Sequence, residues 1–274
     1  MKTFAGLALD RPRIMGIVNA TPDSFSDGGE AFAFEDAVAR GLQMVKDGAD
    51  IIDVGGESTR PGADLVGLDE EIRRTVPVIE RLSNAGALVS IDTRHAQVMQ
   101  AAIDAGAKIV NDVSALTGEG SIDVVARSNV DVVLMHMQGL PETMQDNPSY
   151  QDAPTQVLQY LRDRIAACEV ASISRARIAV DPGIGFGKTV DNNLEILNRL
   201  KDYDDLDVPV LLGVSRKSFI GAVANEPDAQ HRLAGSLAAA LWAIEQGAHL
   251  LRVHDVAATA QALKVWSAIK TSNP

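Results

Sequence analysis

The chain has 274 residues, 46% of them hydrophobic, enough to fill the core of one large domain. A formal net charge of −12 creates a long-range field that repels nucleic acid and anionic membrane surfaces, so neither is an expected partner and any anion site must be built locally. No apolar run approaches the roughly 18 residues that suggest a membrane span, and the one cysteine, Cys168, lacks a partner for an intrachain disulfide.

Short runs rich in Val and Ile alternate with longer segments of helical periodicity, the pattern of parallel βα units. In chain order, strands are expected from near Ile14 (IMGIVN), Ile51 (IIDVGG), Leu88 (LVSID), Ile109 (IVND), Val132 (VVLMHM), Ile178 (IAVDPG), Val208 (VPVLLGVS) and Leu250 (LLRVHD). Between them, Glu35 to Asp47, Asp69 to Asn84, Pro154 to Ala171 and Arg232 to Gly247 set apolar residues three and four apart with charges opposite, as amphipathic helices do. Gly48, Gly86, Gly106 and Gly247 stand where left-handed caps would stop helices before the next strand. Eight such units without a linker, and without G-x-G-x-x-G after the first strand, favour a closed (β/α)8 TIM barrel over an open doubly wound sheet. Residues 1–274 then form a single domain. The missing basic and apolar leader of a secretion signal makes the cytoplasm the expected location.

Polar residues collect where these strands finish: Asn19, Asp53, Asp92, Asn111, His136, Asp181, Ser215 with Lys217, and Arg252 with His254. Any one of them alone reads as a helix N-cap, but in a parallel barrel all these ends share one rim and converge on one pocket. Asp92, Asn111 and Asp181 offer carboxylate and amide groups able to read the edge of a flat heterocycle. Buried carboxylates need a cation, and Lys217 is the obvious one. Arg252 and His254 point to the same side of the last strand and, with Asn19 on the neighbouring first strand, make a plausible phosphate clamp, to which Arg60 and Arg216 could add charge. DPGIGFGK (Asp181 to Lys188) is not a P-loop, because G-x-x-x-x-G-K-[ST] would need glycine where Pro182 stands. It reads as a glycine-rich turn that lets backbone approach a planar ligand. Cys168, inside a helical segment with no base beside it, is a packed thiol rather than a nucleophile, and the histidines lack the spacing of a structural zinc site.

Taken together, IMGIVNATPDSFSDGG (Ile14 to Gly29), DVGGESTRPGA (Asp53 to Ala63), SIDT (Ser90 to Thr93), NDVSA (Asn111 to Ala115), MHMQG (Met135 to Gly139), DPGIGFGK, GVSRKSFIG (Gly213 to Gly221) and RVHDV (Arg252 to Val256) resemble the dihydropteroate synthases of folate biosynthesis over almost the whole chain. The resemblance implies an enzyme that condenses 6-hydroxymethyl-7,8-dihydropterin diphosphate with p-aminobenzoate. It implies that Asp92, Asn111, Asp181 and Lys217 bind the pterin, in a slot lined by Ile17, Met135, Phe186 and Gly213. Asn19, Arg252 and His254 would hold the diphosphate with Mg²⁺, Asp27 would assist Asn19 at the metal, and Phe25, Thr59, Arg60, Pro61 and Ser218 would form the p-aminobenzoate site. The chemical step would draw on Asp92, Asp181, Lys217, Arg252 and His254. The family resemblance also implies a homodimer, to which LAGSLAAALWAI (Leu233 to Ile244) could contribute, and an enzyme of the class that sulfonamides target. A pterin-binding methyltransferase or a non-catalytic pterin-binding paralogue would share the pterin residues, but neither needs the intact TPDSFSD and STRPG segments.

Overall fold

The computed structural model describes residues 2–20, 30–57, 66–139 and 143–272. It opens with a small antiparallel hairpin, β1 (Thr3–Phe4) and β2 (Leu7–Ala8), which the apolar periodicity does not announce. Eight parallel strands follow: β3 (Arg13–Asn19), β4 (Ile51–Gly55), β5 (Val89–Asp92), β6 (Ile109–Asp112), β7 (Asp131–Met135), β8 (Ile178–Asp181), β9 (Leu211–Leu212) and β10 (Leu250–Val253). All eight coincide with the expected runs, β3 and β7 beginning one residue earlier, at Arg13 and Asp131. The seventh is the shortest, because Val208 and Pro209 still belong to the approach to the strand.

Sheet neighbours run β8-β7-β6-β5-β4-β3-β10-β9, and a parallel bridge from Val180 to Val210, with Val180 N–H donating to Pro209 O at 2.9 Å, joins the two ends into a barrel. The helices are α1 (Glu30–Asp47), α2 (Leu68–Asn84), α3 (Ala96–Asp104), α4 (Ser121–Arg127), α5 (Ala153–Val170), α6 (Val190–Asn198), α7 (Ser218–Ala224), α8 (Leu233–Glu245) and α9 (Val256–Thr271). The four expected helices appear within a residue or two, except that α1 begins five residues early, at Glu30. Gly48, Gly86, Gly106 and Gly247 all carry positive φ, between 85° and 111°, where a side chain would be strained.

Strand side chains alternate between outside and inside, and the two directions bury different chemistry. Outward residues such as Val18, Val54, Ile91, Val110, Leu134 and Val180 pack against the helices in one large core. Inward, Met15, Ile51, Ile109, Val133, Ala179, Leu211 and Leu250 form a separate apolar layer, and Phe4 of the hairpin packs into the same cluster. Ala5 N–H donates to Asp131 at the start of β7 (2.5 Å), and Lys2 Nζ reaches Val208 O (3.2 Å), so the hairpin seals the N-terminal end of the barrel. That leaves the opposite rim, where the strands end, as the mouth.

Candidate active site

Two residues beyond each member of the inward apolar layer stand Ile17, Asp53, Asn111, Met135, Asp181, Gly213 and Arg252, and β5 adds Asp92 beside Asn111. Far-separated polar residues therefore meet in one layer above the barrel floor, directly under the mouth. A Cβ placed on Gly213 would lie 3.8 Å from Asp181 Oδ2 and 3.9 Å from Arg252 Cβ, so the acid of β8 and the base of β10 share one side of the molecule.

The centre is an ion triad. Arg252 Nε donates to Asp53 Oδ2 and Arg252 Nη2 to Asp92 Oδ2, both at 2.6 Å, and Asn111 Nδ2 donates to the same Asp53 oxygen at 3.0 Å. Burial alone would lower the Arg252 guanidinium, but the charges of Asp53 and Asp92 outweigh it and hold it above its ordinary value. Burial pushes Asp92 above the usual carboxylate range; Arg252 and Lys217 pull it down, while Asp53 and Asp112 push it further up. Asp181 is raised by burial as well, opposed by the Gly183 N–H that its Oδ1 accepts at 2.7 Å and by Lys217, Arg252 and Lys188. Burying carboxylates this way is tolerable only beside cations.

The direct partner of Asp92 is thus Arg252, a pairing the expectation of Lys217 as counter-ion did not include. Lys217 lies at the N-terminal edge of α7 with its Nζ 4.0 Å above the Phe186 ring, a cation–π contact, and acts on Asp92 and Asp181 through its charge. His254 is tied to β9's extension, its N–H donating to Ser215 Oγ at 3.2 Å and its Nδ1 3.0 Å from the same oxygen. Arg216 does not join the clamp. It pairs with Asp255 through Nε (2.9 Å) and Nη2 (2.5 Å), so its charge is spent fastening the segment after β9 to the segment after β10. Asn19 is half-buried at the end of β3, Met135 and Ile17 are buried, and Ser218 is exposed at the start of α7. Phe25, Asp27, Thr59, Arg60 and Pro61 lie outside the described residues.

The glycine-rich turn after β8 is firmly held. Gly183 has φ 70°, and a Cβ there would collide with the His136 carbonyl, so only glycine fits. Lys188, buried, sends its ammonium under the turn to Gly183 O (2.9 Å), Phe186 O (2.9 Å), His136 O (3.3 Å) and His136 Nδ1 (2.9 Å). Burial pulls that ammonium down to about 7, with Asp181 working in the other direction. Burial and the Lys188 charge lower His136 to about 3, which keeps the ring neutral. Gln145 donates to Gly185 O at 2.7 Å and Tyr150 to Gly187 O at 2.8 Å. His136 and Lys188 therefore support the wall that presents Phe186 and do not face the pocket as ligand groups.

Asp53 is the functional candidate that sequence reasoning left among the generic strand-end polars. Its signal was a carboxylate in the middle of an apolar strand, IIDVG, where only an internal cation could justify it. Asp112, by contrast, points outward and holds the turn after β6, accepting from the N–H groups of Ser114 (2.7 Å) and Leu116 (2.8 Å). Cys168 is buried in α5, and burial pushes its thiol up to about 11, which leaves it inert as a nucleophile.

A family model described as pterin binding enzyme matches residues 15–254. Among curated proteins, a dihydropteroate synthase of Neisseria meningitidis serogroup C is 49% identical over 96% of this chain and 94% of its own length, and that of Escherichia coli strain K12 is 45% identical over 98% and 96%. Among solved structures, a Xanthomonas albilineans dihydropteroate synthase with 4-aminobenzoic acid superposes with a TM-score of 0.93 at 51% identity, covering 98% of this chain and 97% of that one. The same bacterium's enzyme in complex with 7,8-dihydropteroate gives a TM-score of 0.90 at 48% identity, covering 97% of each chain.

Proposed function

The chain belongs to the pterin-binding enzymes and, within them, to the dihydropteroate synthases, and on that footing we propose how its own residues carry out the reaction. It is a transferase that joins 6-hydroxymethyl-7,8-dihydropterin diphosphate to p-aminobenzoate, giving 7,8-dihydropteroate and pyrophosphate for folate biosynthesis. The observation that carries the assignment of roles is the single inward layer that unites Asp92, Asn111, Asp181 and Arg252 beneath the mouth.

The pterin ring lies in this layer, its N–H edge against the oxygens of Asp92, Asn111 and Asp181, with Lys217 beside it and Ile17, Met135, Phe186 and Gly213 as walls. The diphosphate points toward the rim, where Asn19, Arg252 and His254 bind it. An arylamine is already neutral near physiological pH, so no strong general base is needed. The C–O bond to the diphosphate breaks ahead of C–N bond formation, leaving a methylene cation conjugated with the ring. Asp92 and Asp181 stabilise that positive charge, and Arg252 and His254 take up the charge of the departing diphosphate, all by preorganised electrostatics. The amine then attacks the methylene carbon, and the anilinium so formed passes its proton to the released pyrophosphate. Phe25, Thr59, Arg60, Pro61 and Ser218 position the arylamine, the site at which a sulfonamide competes. A crystal structure of the Yersinia pestis enzyme with a sulfonamide drug is consistent with that use of the fold.

Among the described residues no three His, Cys, Asp or Glu side chains gather as metal ligands, and Asn19 is the described member of the expected metal pair. A carboxamide oxygen on a strand end suits Mg²⁺, which takes few protein oxygens and completes its shell with substrate phosphates and water. Asn19 and Asp27 would hold it, and when bound it supplies neutralising charge to the diphosphate. A homodimer would cover the apolar side chains of Trp242 on α8 and Val265 and Ile269 on α9, which stand exposed. No described helix is long and apolar enough to cross a membrane, and a cytoplasmic location accords with a buried, unpaired thiol.

Incubating the pure protein with Mg²⁺, the pterin diphosphate and labelled p-aminobenzoate tests the reading. Labelled dihydropteroate is the expected product, and its absence under conditions that support a known synthase would overturn it.

A further inference from the structure

Asp53 lies in the middle of β4, completely buried, and its Oδ2 accepts two hydrogen bonds at once, from Arg252 Nε (2.6 Å) and Asn111 Nδ2 (3.0 Å). Its Oδ1 has no hydrogen-bond partner among the described residues. An ionised carboxylate only accepts, whereas a carboxamide can turn either its N–H₂ or its oxygen toward a ligand. The bond to Asp53 removes that choice. Asn111 turns its nitrogen toward β4, which fixes the flip of the amide, leaves Oδ1 as an acceptor and keeps one N–H uncommitted to Asp53. With Asp92 and Asp181 flanking it, the polar wall is rich in acceptor oxygens, which suits a flat ring with N–H donors on that edge. The same Asp53 oxygen holds Arg252 at Nε while Asp92 holds Nη2, so two carboxylates together set the plane of the guanidinium.

We propose that Asp53 is a specificity-determining positioning residue. By fixing the flip of the Asn111 carboxamide and the plane of the Arg252 guanidinium, it sets this edge of the pocket to favour ring edges that donate. This inference rests on the assignment of the pocket to the pterin.

Asp53 also shares Arg252 with Asp92, and its charge repels that of Asp92, on which Arg252, Asp112 and Lys217 act too, with Glu71 of α2 interacting from outside the barrel. Removing the Asp53 charge leaves Arg252 to Asp92 alone and removes a like charge. Both changes favour the ionised form of Asp92, so the acid limb of the pH profile of kcat/KM for the pterin moves to lower pH.

The test uses Asp53→Asn, which keeps an acceptor, Asp53→Ala, which removes it, Asn111→Ala, and the Asp53→Asn/Asn111→Ala double variant. Affinity for the unreactive alcohol 6-hydroxymethyl-7,8-dihydropterin is measured by calorimetry, alongside KM for both substrates, pH profiles and melting temperatures. Loss of a charged hydrogen-bond partner predicts weakening of about 100-fold in Asp53→Ala and about 10-fold in Asp53→Asn, with KM for p-aminobenzoate unchanged and the acid limb lowered in Asp53→Asn. On the Asn111→Ala background, Asp53→Asn should cost far less than it does alone. Wild-type pterin affinity in Asp53→Ala, or an unmoved acid limb in Asp53→Asn with effects that simply multiply, overturns the proposal. If Asp53→Ala does not fold, Asp53→Asn and the cycle decide. Should Asn111→Ala and Asp92→Ala also bind pterin normally, the pocket assignment itself falls, an outcome separate from Asp53 variants alone being without effect.

Discussion

Arg252 is the direct counter-ion of two carboxylates, at 2.6 Å each, and Asp53 and Asp92 are 0% and 12% exposed. Replacing Arg252 with Met keeps the bulk of the side chain and removes the charge. Breaking a buried pair by deleting one partner costs about 3–5 kcal/mol, and in a chain of this size each kcal/mol shifts the melting temperature by about 2–4 °C. The variant should therefore melt roughly 6–20 °C below wild type at pH 8. Its deficit should also depend on pH. Burial already raises Asp92 in the folded protein against the pull of Arg252, and without that pull it rises further. Between the unfolded and folded pKa of such a carboxyl, the native state binds more protons than the unfolded state, so stability is greatest at low pH and is lost as pH rises through the folded value, by up to about 1.4 kcal/mol per unit per proton. Thermal melts of both proteins from pH 8 to pH 5.5 should show the gap narrowing as acid is added. A gap of constant size, or a variant as stable as wild type at pH 8, would refute the ion triad as the reason these carboxylates can be buried.

Asp92→Ala should leave the barrel folded and abolish pterin capture, so an unchanged binding isotherm would remove Asp92 from the site. Lys188→Met strips the donor from two turn carbonyls and from His136, at a cost of about 3 kcal/mol or more, and should raise KM for the pterin more than KM for p-aminobenzoate; equal changes in the two would show that the turn does not shape the pterin wall. Phe4→Ala opens a cavity in the barrel floor worth about 3–5 kcal/mol, yet kcat measured well below the melting transition should hold, because Phe4 packs at the end opposite the mouth. Reduced stability with a collapsed kcat at low temperature would mean that the floor and the mouth are coupled.

The barrel was legible because its strands are short Val- and Ile-rich runs between capped amphipathic helices, and because glycines at positions such as Gly86 and Gly106 have one strong physical reason to be there. The pocket was legible in part: Asp92 and Asp181 end their strands, Asn111 and Arg252 stand one residue before the end of theirs, and a parallel barrel brings strand ends together. Who pairs with whom was not. Asp53 and Arg252 are 199 residues apart in the chain, and periodicity carries no information about such a contact. Arg216 illustrates the same limit, since its position after β9 suits an anion clamp equally well until Asp255 is seen to occupy it. The hairpin of Thr3 to Ala8 escaped notice because two-residue strands have no period to detect, and Lys188 because a lysine after glycines suggests a phosphate ligand far more readily than a buried strut.

Because β10 is inserted between β3 and β9, the ring of strands cannot close until residues 250–253 are available to both. The hairpin at residues 3–8 waits in the same way for Asp131 and Val208, its anchors in the finished barrel. On the ribosome, then, the hairpin lacks both of its anchors until Asp131 is made and one of them until Val208 is made, and the ring itself closes only with Leu250 to Val253. Stalling translation before Leu250 should leave a chain with most of its helices in hand, its polar layer still wet and its exposed sheet edges open to chaperones.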